Sequence, residues 1–267
     1  MKSDIGKVGT QHLSPSIIPQ QTIADIIAQM DQVIARCYRE RSKLGYFAVL
    51  YRNVTVRVRD GIAAGRFENA ARMERLDVIF AQRYLDALDQ FWRGETPTQS
   101  WVVAFRAARE WSPIILQHLL FGMNAHINLD LAIAAAQAAP GNELPGLKRD
   151  FEEITVLLNE MIQGMQDRIE QVSPWFRVLD RVGGRTNEQL CGFGIEQARN
   201  LAWLTANKFA ATAPEKMADQ IALHDQIVAG LGNLIRSPIG NLLRGSLALI
   251  RLREAGDVRA VMNVLRM

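Results

Sequence analysis

The stretch that decides the fold is residues 112–138, which read SPIILQHLLFGMNAHINLDLAIAAAQA. Ser112 followed by Pro113 is typical of a helix start, with the serine as cap and the proline in the first turn. On a helical wheel, at about 100° per residue, leucine, isoleucine and alanine side chains occupy every side of this stretch. A helix that is apolar all round is buried all round, so the stretch predicts a central helix over about 112–138.

Apolar residues recur at helical spacing along most of the remaining chain. In residues 20–41 they follow one another at intervals of three and four, which is the period of an amphipathic helix. Period-two alternation, typical of a strand, occurs only in residues 54–59, and the helical spacing on both sides favours helix there too. The sequence therefore predicts an all-α fold, a multi-helix bundle around the buried central helix.

Domain organisation follows from the lack of a break in composition. The sequence has no linker rich in glycine, serine or charge, and no repeat of fixed period. We therefore expect a single α-helical domain over residues 20–267, preceded by an N-terminal tail over residues 1–19.

Composition and charge narrow the function classes. The chain has 267 residues, 48% of them apolar, which is enough to bury a substantial core, and its net charge of +3 predicts no nucleic-acid partner. Its longest apolar stretch, residues 119–136, is interrupted by asparagine, histidine and aspartate, so we expect no membrane span. The N-terminus lacks the apolar core of a signal peptide, and two distant cysteines, Cys37 and Cys191, indicate reduced thiols. These features predict a soluble, cytoplasmic protein, with homo-oligomerisation left open.

Polar side chains in the central helix are the candidate chemistry. Each one costs about 1–3 kcal/mol when buried without a partner, and a helix that only fills a core uses leucine and alanine instead. His126 and Asp130 are four residues apart, so the carboxylate can orient the imidazole or share a metal ion with it. We predict His118 or His126 as general acid or base and Asp130 as the residue that orients it.

A ligand pocket beside these groups is predicted from Gly122. Glycine in a helix interior is unfavourable by about 1 kcal/mol relative to alanine, and a missing side chain one turn from each histidine would leave room for a ligand. Polar residues of the central helix and of a predicted helix over 186–211 would then contact the ligand. The predicted ligand-binding residues are Gln117, Gly122, Asn124, Asn128, Glu196, Arg199 and Trp203.

Cofactor motifs are missing from the sequence. Gly192-Phe193-Gly194 lacks the preceding strand that a dinucleotide-binding loop needs, and there is no nucleophile elbow or Walker lysine. A divalent metal is the remaining alternative, with His118, His126 and Asp130 as its first candidate ligands and an open coordination position. Metal-binding motifs of the His-Glu-x-x-His type do not accompany them, so the prediction leans against a metal.

The run LQHLLFGMNAHINLDL over residues 116–131 resembles the hallmark of a bacterial family, domain of unknown function 5995, in which Gly-Met-Asn-Ala-His-Ile followed by Asp-Leu recurs. Residues 83–88 (RYLDAL) and 198–203 (ARNLAW) are similar to that family as well, so the resemblance covers most of residues 20–210. It implies an all-helical fold and supports a site on the central helix. It implies no particular reaction.

Two functions from different classes fit these observations. The first is an enzyme that encloses a small organic molecule in an apolar pocket and uses His/Asp acid–base chemistry for hydrolysis, isomerisation, elimination or cyclisation. The alternative is a non-catalytic ligand-binding or structural helical protein, in which the buried His, Asn and Asp side chains only determine how the helices pack. An enzyme should have a ligand-sized cavity beside Gly122 with the imidazole nitrogens directed into it, whereas a structural protein should have those nitrogens fully bonded and no cavity.

Overall fold

The computed structural model describes residues 21–173 and 194–266, and in these ranges the protein is built from α-helices without a β-strand. The predicted tail over residues 1–19 lies outside the described residues. The helices are α1 (Ile23–Glu40), α2 (Leu44–Ala63), α3 (Ala70–Trp92), α4 (Gln99–Ala107), α5 (Ile115–Ala125), α6 (Leu131–Ala138), α7 (Lys148–Val172), α8 (Ile195–Ala210), α9 (Pro214–Arg236), α10 (Asn241–Arg251) and α11 (Val258–Leu265). The all-α prediction is confirmed, and residues 54–59 lie inside α2.

A central helix runs through the molecule as predicted. The π-helical turn His126–Asp130 joins α5 directly to α6, so the backbone is helical from Ile115 to Ala138. Residues 115–135 are buried except for the half-buried Met123 and Ile127. The stretch is long and apolar enough to cross a membrane by length and composition alone, yet 83% of its most apolar window is buried inside the protein.

The start of the central helix differs from the prediction. It begins at Ile115 and not at Pro113, and its first amide groups are bonded by side chains other than that of Ser112. The amide of Ile115 donates to both carboxylate oxygens of Glu254, at 3.1 and 3.0 Å, and the amide of Ile114 donates to Oε1 of Gln117. A carboxylate from the far end of the chain therefore caps this helix in place of a local serine.

The central helix connects two apolar cores. Its first half, including Leu119, packs with residues of α1, α2, α10 and α11 in one core. Its second half, including Leu131, packs with residues of α3, α7 and α8 in the other. The π-helical turn lies between the two halves, so the polar residues of this turn are enclosed by helices from both cores.

Candidate functional site

The π-helical turn brings two of the predicted catalytic residues together. Nδ1 of His126 lies 3.2 Å from Oδ2 of Asp130, and both side chains are almost completely buried. Single π-helical turns inside α-helices are rare and occur frequently at functional sites. The imidazole and the carboxylate therefore form a local dyad within one turn of the central helix.

Asp130 is held by two further partners from other helices. Its Oδ1 accepts a hydrogen bond from Nε of Arg83 on α3 at 2.9 Å, and its Oδ2 accepts one from Nε1 of Trp101 on α4 at 2.9 Å. The guanidinium of Arg83 stabilises the carboxylate as an anion. The Asp130 carboxylate accepts a hydrogen bond from Nδ1–H of His126, which leaves Nε2 as the nitrogen without a proton in the neutral ring.

Aromatic side chains enclose the His126 ring. Phe80 of α3 stacks on it with ring centroids 3.6 Å apart and planes 8° from parallel, and Tyr51 of α2 meets it edge-on at 4.2 Å. Burial lowers the pKa of His126, although the hydrogen bond and charge of Asp130 act in the opposite direction. His126 is therefore neutral near pH 7, and its buried Nε2 has no hydrogen-bond partner among the described residues.

A cavity of about 340 Å³ lies beside His126. Side chains of α2, α3, α7 and the central helix line it, and nearly all of them are apolar, as Val54, Leu120 and Ile154 illustrate. Pockets of about 300–1,000 Å³ with a few polar groups on apolar walls are typical of small-molecule sites.

Two more side chains that line the same cavity carry a polar atom without a partner. Oδ2 of Asp77 and the hydroxyl of Tyr51 are buried and, like Nε2 of His126, form no hydrogen bond within the described ranges. Burial, with a smaller effect of the Glu74 charge, raises the pKa of Asp77 to about 7, and burial also raises the pKa of Tyr51 well above its usual value. Asp77 can therefore hold or release a proton near neutral pH, while Tyr51 keeps its proton.

His118, the other predicted catalytic histidine, lies elsewhere. It borders a small space of about 20 Å³ with Lys43 and Trp101, and it does not line the cavity beside His126. Burial, followed by the positive charges of Lys43 and Arg251, lowers its pKa to about 3. The structure therefore brings His126 and Asp130 together and leaves His118 apart from them.

The room that Gly122 makes is filled by protein. A Cβ atom on Gly122 would lie 2.3 Å from Cγ of Phe47, so the glycine allows the phenyl ring of α2 to pack directly against the central helix. The prediction of ligand space beside Gly122 is therefore wrong, because the gap serves helix packing.

Three predicted ligand-binding residues tie the central helix to its surroundings. Nε2 of Gln117 donates to the carbonyl of Ile235, and Nδ2 of Asn124 donates to the carbonyl of Val228, both on α9. Nδ2 of Asn128 donates to Oδ1 of Asn124. None of Gln117, Asn124 and Asn128 borders the cavity beside His126, so these amides match the structural role that the sequence left as the alternative.

The three predicted residues on α8 have different positions. Arg199 is buried and lines the cavity, whereas Glu196 is exposed and Trp203 is half-buried against Phe151. Neither Glu196 nor Trp203 borders the cavity. Of the seven predicted ligand-binding residues, Arg199 is the one that the structure places at this cavity.

A metal ion would have to compete with existing contacts. Across residues 21–173 and 194–266, no three His, Cys, Asp or Glu side chains are grouped so that they could hold a metal ion. Both oxygens of Asp130 already accept hydrogen bonds, and His118 does not share the cavity of His126. These donor positions do not fit the three-ligand site that the sequence left as a less favoured alternative.

Asp77 is the functional candidate that the sequence interpretation missed. It lies on α3 in register with Met73, Phe80 and Tyr84, at spacings of four, three and four residues. This spacing places a carboxyl group on the apolar side of an amphipathic helix, which is a signal for a buried acid. Tyr51 carried the same kind of signal as a polar residue in the apolar helix α2.

The family of the chain follows from comparison of its sequence with known protein families. The sequence model of the family of unknown function DUF5995 matches residues 23–238, and the chain belongs to this family. The matched segment contains the central helix, the His126–Asp130 dyad and the described residues that line the cavity. No curated protein and no solved structure matches the chain.

Proposed function

We propose that the protein is an enzyme that binds a small, mainly apolar organic molecule in the cavity beside His126 and acts on it by general acid–base catalysis. The observation that carries the proposal is that three side chains lining one apolar cavity each carry a buried polar atom without a partner. These atoms are Nε2 of His126, Oδ2 of Asp77 and the hydroxyl oxygen of Tyr51. Buried polar atoms normally have partners, so a ligand that supplies polar groups accounts for all three.

His126 is the base in this proposal. Its Nε2 takes a proton from the bound molecule or from a water molecule, and the resulting imidazolium is stabilised through Nδ1 by the Asp130 carboxylate. Arg83 and Trp101 hold Asp130 in place, so the imidazole keeps one orientation. Asp130 is thus a positioning residue and His126 the catalytic one.

Asp77 is the complementary acid. With a pKa raised to about 7 by burial, it is protonated in a large share of molecules at neutral pH and can donate that proton. The Tyr51 hydroxyl can donate a hydrogen bond to a carbonyl or hydroxyl oxygen of the bound molecule. Isomerisation, elimination, cyclisation and hydrolysis all use such a pair of proton-transfer groups.

Nucleophilic catalysis by a hydroxyl or thiol is less well supported. The described residues that line the cavity include no serine, threonine or cysteine. The described lining residues therefore provide the groups that acid–base catalysis needs, but not the serine or cysteine nucleophile of the usual covalent mechanisms.

Metabolite profiling of two matched variants tests the proposal. A small-molecule extract of a bacterial culture is incubated with wild-type protein, His126→Asn or His118→Asn, and compounds that disappear or form are followed by mass spectrometry. Each variant replaces a buried imidazole with an amide, but only His126 borders the cavity. We expect wild type and His118→Asn to convert the same compound, and His126→Asn to be at least about 100-fold slower.

Binding of the neutral fluorescent dye N-phenyl-1-naphthylamine provides the second measurement. The dye should bind wild-type protein in the cavity, and Leu120→Trp, which places a larger side chain on the wall, should reduce binding. Dye binding without any conversion would favour the non-catalytic ligand-binding function. If the dye does not bind and no compound changes, the proposal is wrong.

A further inference from the structure

Arg199 is a buried cation without an acidic partner in the described part of the chain. It is only 3% exposed, and burial lowers the pKa of its guanidinium to about 9. Its Nε donates to Oγ1 of Thr155 at 2.8 Å, and its Nη2 donates to the carbonyl of Phe151 at 2.5 Å. Both acceptors are neutral, so the positive charge is not compensated by either of them.

The remaining donors of Arg199 suit a planar anion. Nη1 has no acceptor among the described residues, and Nη2 uses one of its two protons on Phe151. The guanidinium carbon also lies over the Phe151 ring, 4.3 Å from the ring centroid, and this contact restricts its movement. A held guanidinium with free donors on two neighbouring nitrogens matches the two oxygens of a carboxylate.

The surroundings of Arg199 indicate that its partner is a negatively charged group of the ligand. Arg199 lines the same cavity as His126 and Asp77. Asp77 carries the carboxyl group among the described lining residues, and it does not contact Arg199. A buried charge without a counter-ion is strongly unfavourable. A negative group on the bound molecule would supply the missing charge.

We propose that the molecule bound in the cavity carries a carboxylate group that pairs with Arg199, while its apolar part occupies the rest of the cavity. This inference rests on the proposed function and specifies its substrate class as apolar carboxylic acids. The carboxylate is held at Arg199, and a different part of the molecule faces Nε2 of His126.

Calorimetric titration of decanoate and 1-decanol tests the charge requirement. The two probes share the same chain and differ in the head group, and the titrations are made at about pH 7, where decanoate is ionised. We expect wild-type protein to bind decanoate at least about tenfold more tightly than 1-decanol. Arg199→Gln should remove this preference by weakening decanoate binding alone, and Arg199→Lys should keep part of it.

Arg66→Gln is the matched control. Arg66 pairs with Glu153 and Glu160 on the outside of α7 and does not line the cavity, so its removal should leave both affinities unchanged. Melting temperatures of all variants show whether each is folded, and the comparison of the two probes on wild-type protein needs no variant.

The outcomes separate the two proposals. If decanoate and 1-decanol bind wild-type protein equally, or if Arg199→Gln weakens both alike, the carboxylate inference is overturned while the cavity remains a ligand site. If neither decanoate nor 1-decanol binds, the inference is overturned. If, in addition, the naphthylamine dye does not bind and no compound is converted, the proposed function is overturned as well.

Discussion

Asp77 shows how burial sets the proton affinity of one side chain. An aspartate in water has a pKa near 4, but at this position the ionised form loses its hydration, and Oδ2 has no hydrogen-bond donor in the described structure. The result is a group that changes charge close to neutral pH. The raised pKa suits the acid role proposed for Asp77, and it also means that the ionised form of Asp77 lowers the stability of the folded protein.

The pH dependence of stability should reveal this group. Because its pKa in the folded state is raised to about 7, its contribution to stability is complete below pH 4 and is lost as the pH rises through 7. In Asp77→Asn the side chain at residue 77 is neutral at every pH. The free energy of unfolding of this variant relative to wild type should therefore increase by about 4 kcal/mol between pH 4 and pH 8.

Urea denaturation of both proteins at several pH values measures this difference. Asp225→Asn is the control, since Asp225 is also buried but accepts hydrogen bonds from the amides of Gln99 and Ser100 at the start of α4. It should lower stability, because the two backbone amides lose their carboxylate acceptor, and it shows the effect of removing a buried carboxylate that has partners. Parallel curves for wild type and Asp77→Asn would show that Asp77 ionises normally.

At the scale of elements, the contact between α2 and the central helix depends on Gly122. Phe47 occupies the position that a side chain would need, with its Cγ 2.3 Å from a Cβ at residue 122. The same ring lies 5.8 Å from the His126 ring and borders the cavity. The glycine therefore positions a wall of the candidate site through a neighbouring helix.

Alanine at residue 122 should be destabilising in spite of its better helix propensity. We expect Gly122→Ala to lower the free energy of unfolding by about 1–3 kcal/mol, because the Phe47 ring must move in a packed core. Gly164→Ala on α7 is the control, since a Cβ there meets no atom within 4 Å and should stabilise by about 0.5–1 kcal/mol.

Chemical denaturation of both variants measures their free energies of unfolding. The double variant Gly122→Ala with Phe47→Leu then tests whether the loss comes from the contact with Phe47. The smaller leucine should recover part of the loss, because the two residues compete for one volume. If Gly122→Ala were as stabilising as Gly164→Ala, the close packing of α2 on the central helix would be refuted.

The elements also show how far local sequence predicts structure. Apolar periodicity predicted the central helix to its last residue, Ala138, because side chains three and four residues apart share a helix face wherever the helix lies. The dyad of His126 and Asp130 was predictable for the same reason. The start of the helix was not, since its cap, Glu254, is 139 residues away along the chain.

At the scale of the whole molecule, the last two helices pack into the apolar core that holds the first half of the central helix. They lie beyond residue 238, where the match to the family ends. Leu247 of α10 and Met262 of α11 are core residues, and Nδ2 of Asn53 on α2 donates to the carbonyl of Leu265 at 3.0 Å. The C-terminal segment is thus part of the structure that supports the central helix.

Loss of the Glu254 carboxylate should therefore destabilise the whole protein. Glu254→Ala leaves the buried amide of Ile115 and the hydroxyl of Ser173 without their acceptor, and we expect a loss of about 1–3 kcal/mol. Glu95→Ala, at an exposed ion pair with Arg93, should change stability by less than about 1 kcal/mol. Thermal unfolding compares the two, and equal melting temperatures would contradict this role for Glu254.

The sequence by itself determined the helical class, the buried central helix and the polar residues within it, because these depend on neighbours within one helical period. It also predicted that His126 and Asp130, four residues apart, can contact each other. Only the tertiary structure decided that Arg83 and Trp101 hold Asp130, that Phe47 fills the space at Gly122, and that Asp77 borders the cavity. These contacts join different helices, and their geometry depends on how whole helices pack, which the spacing of residues along one helix does not specify.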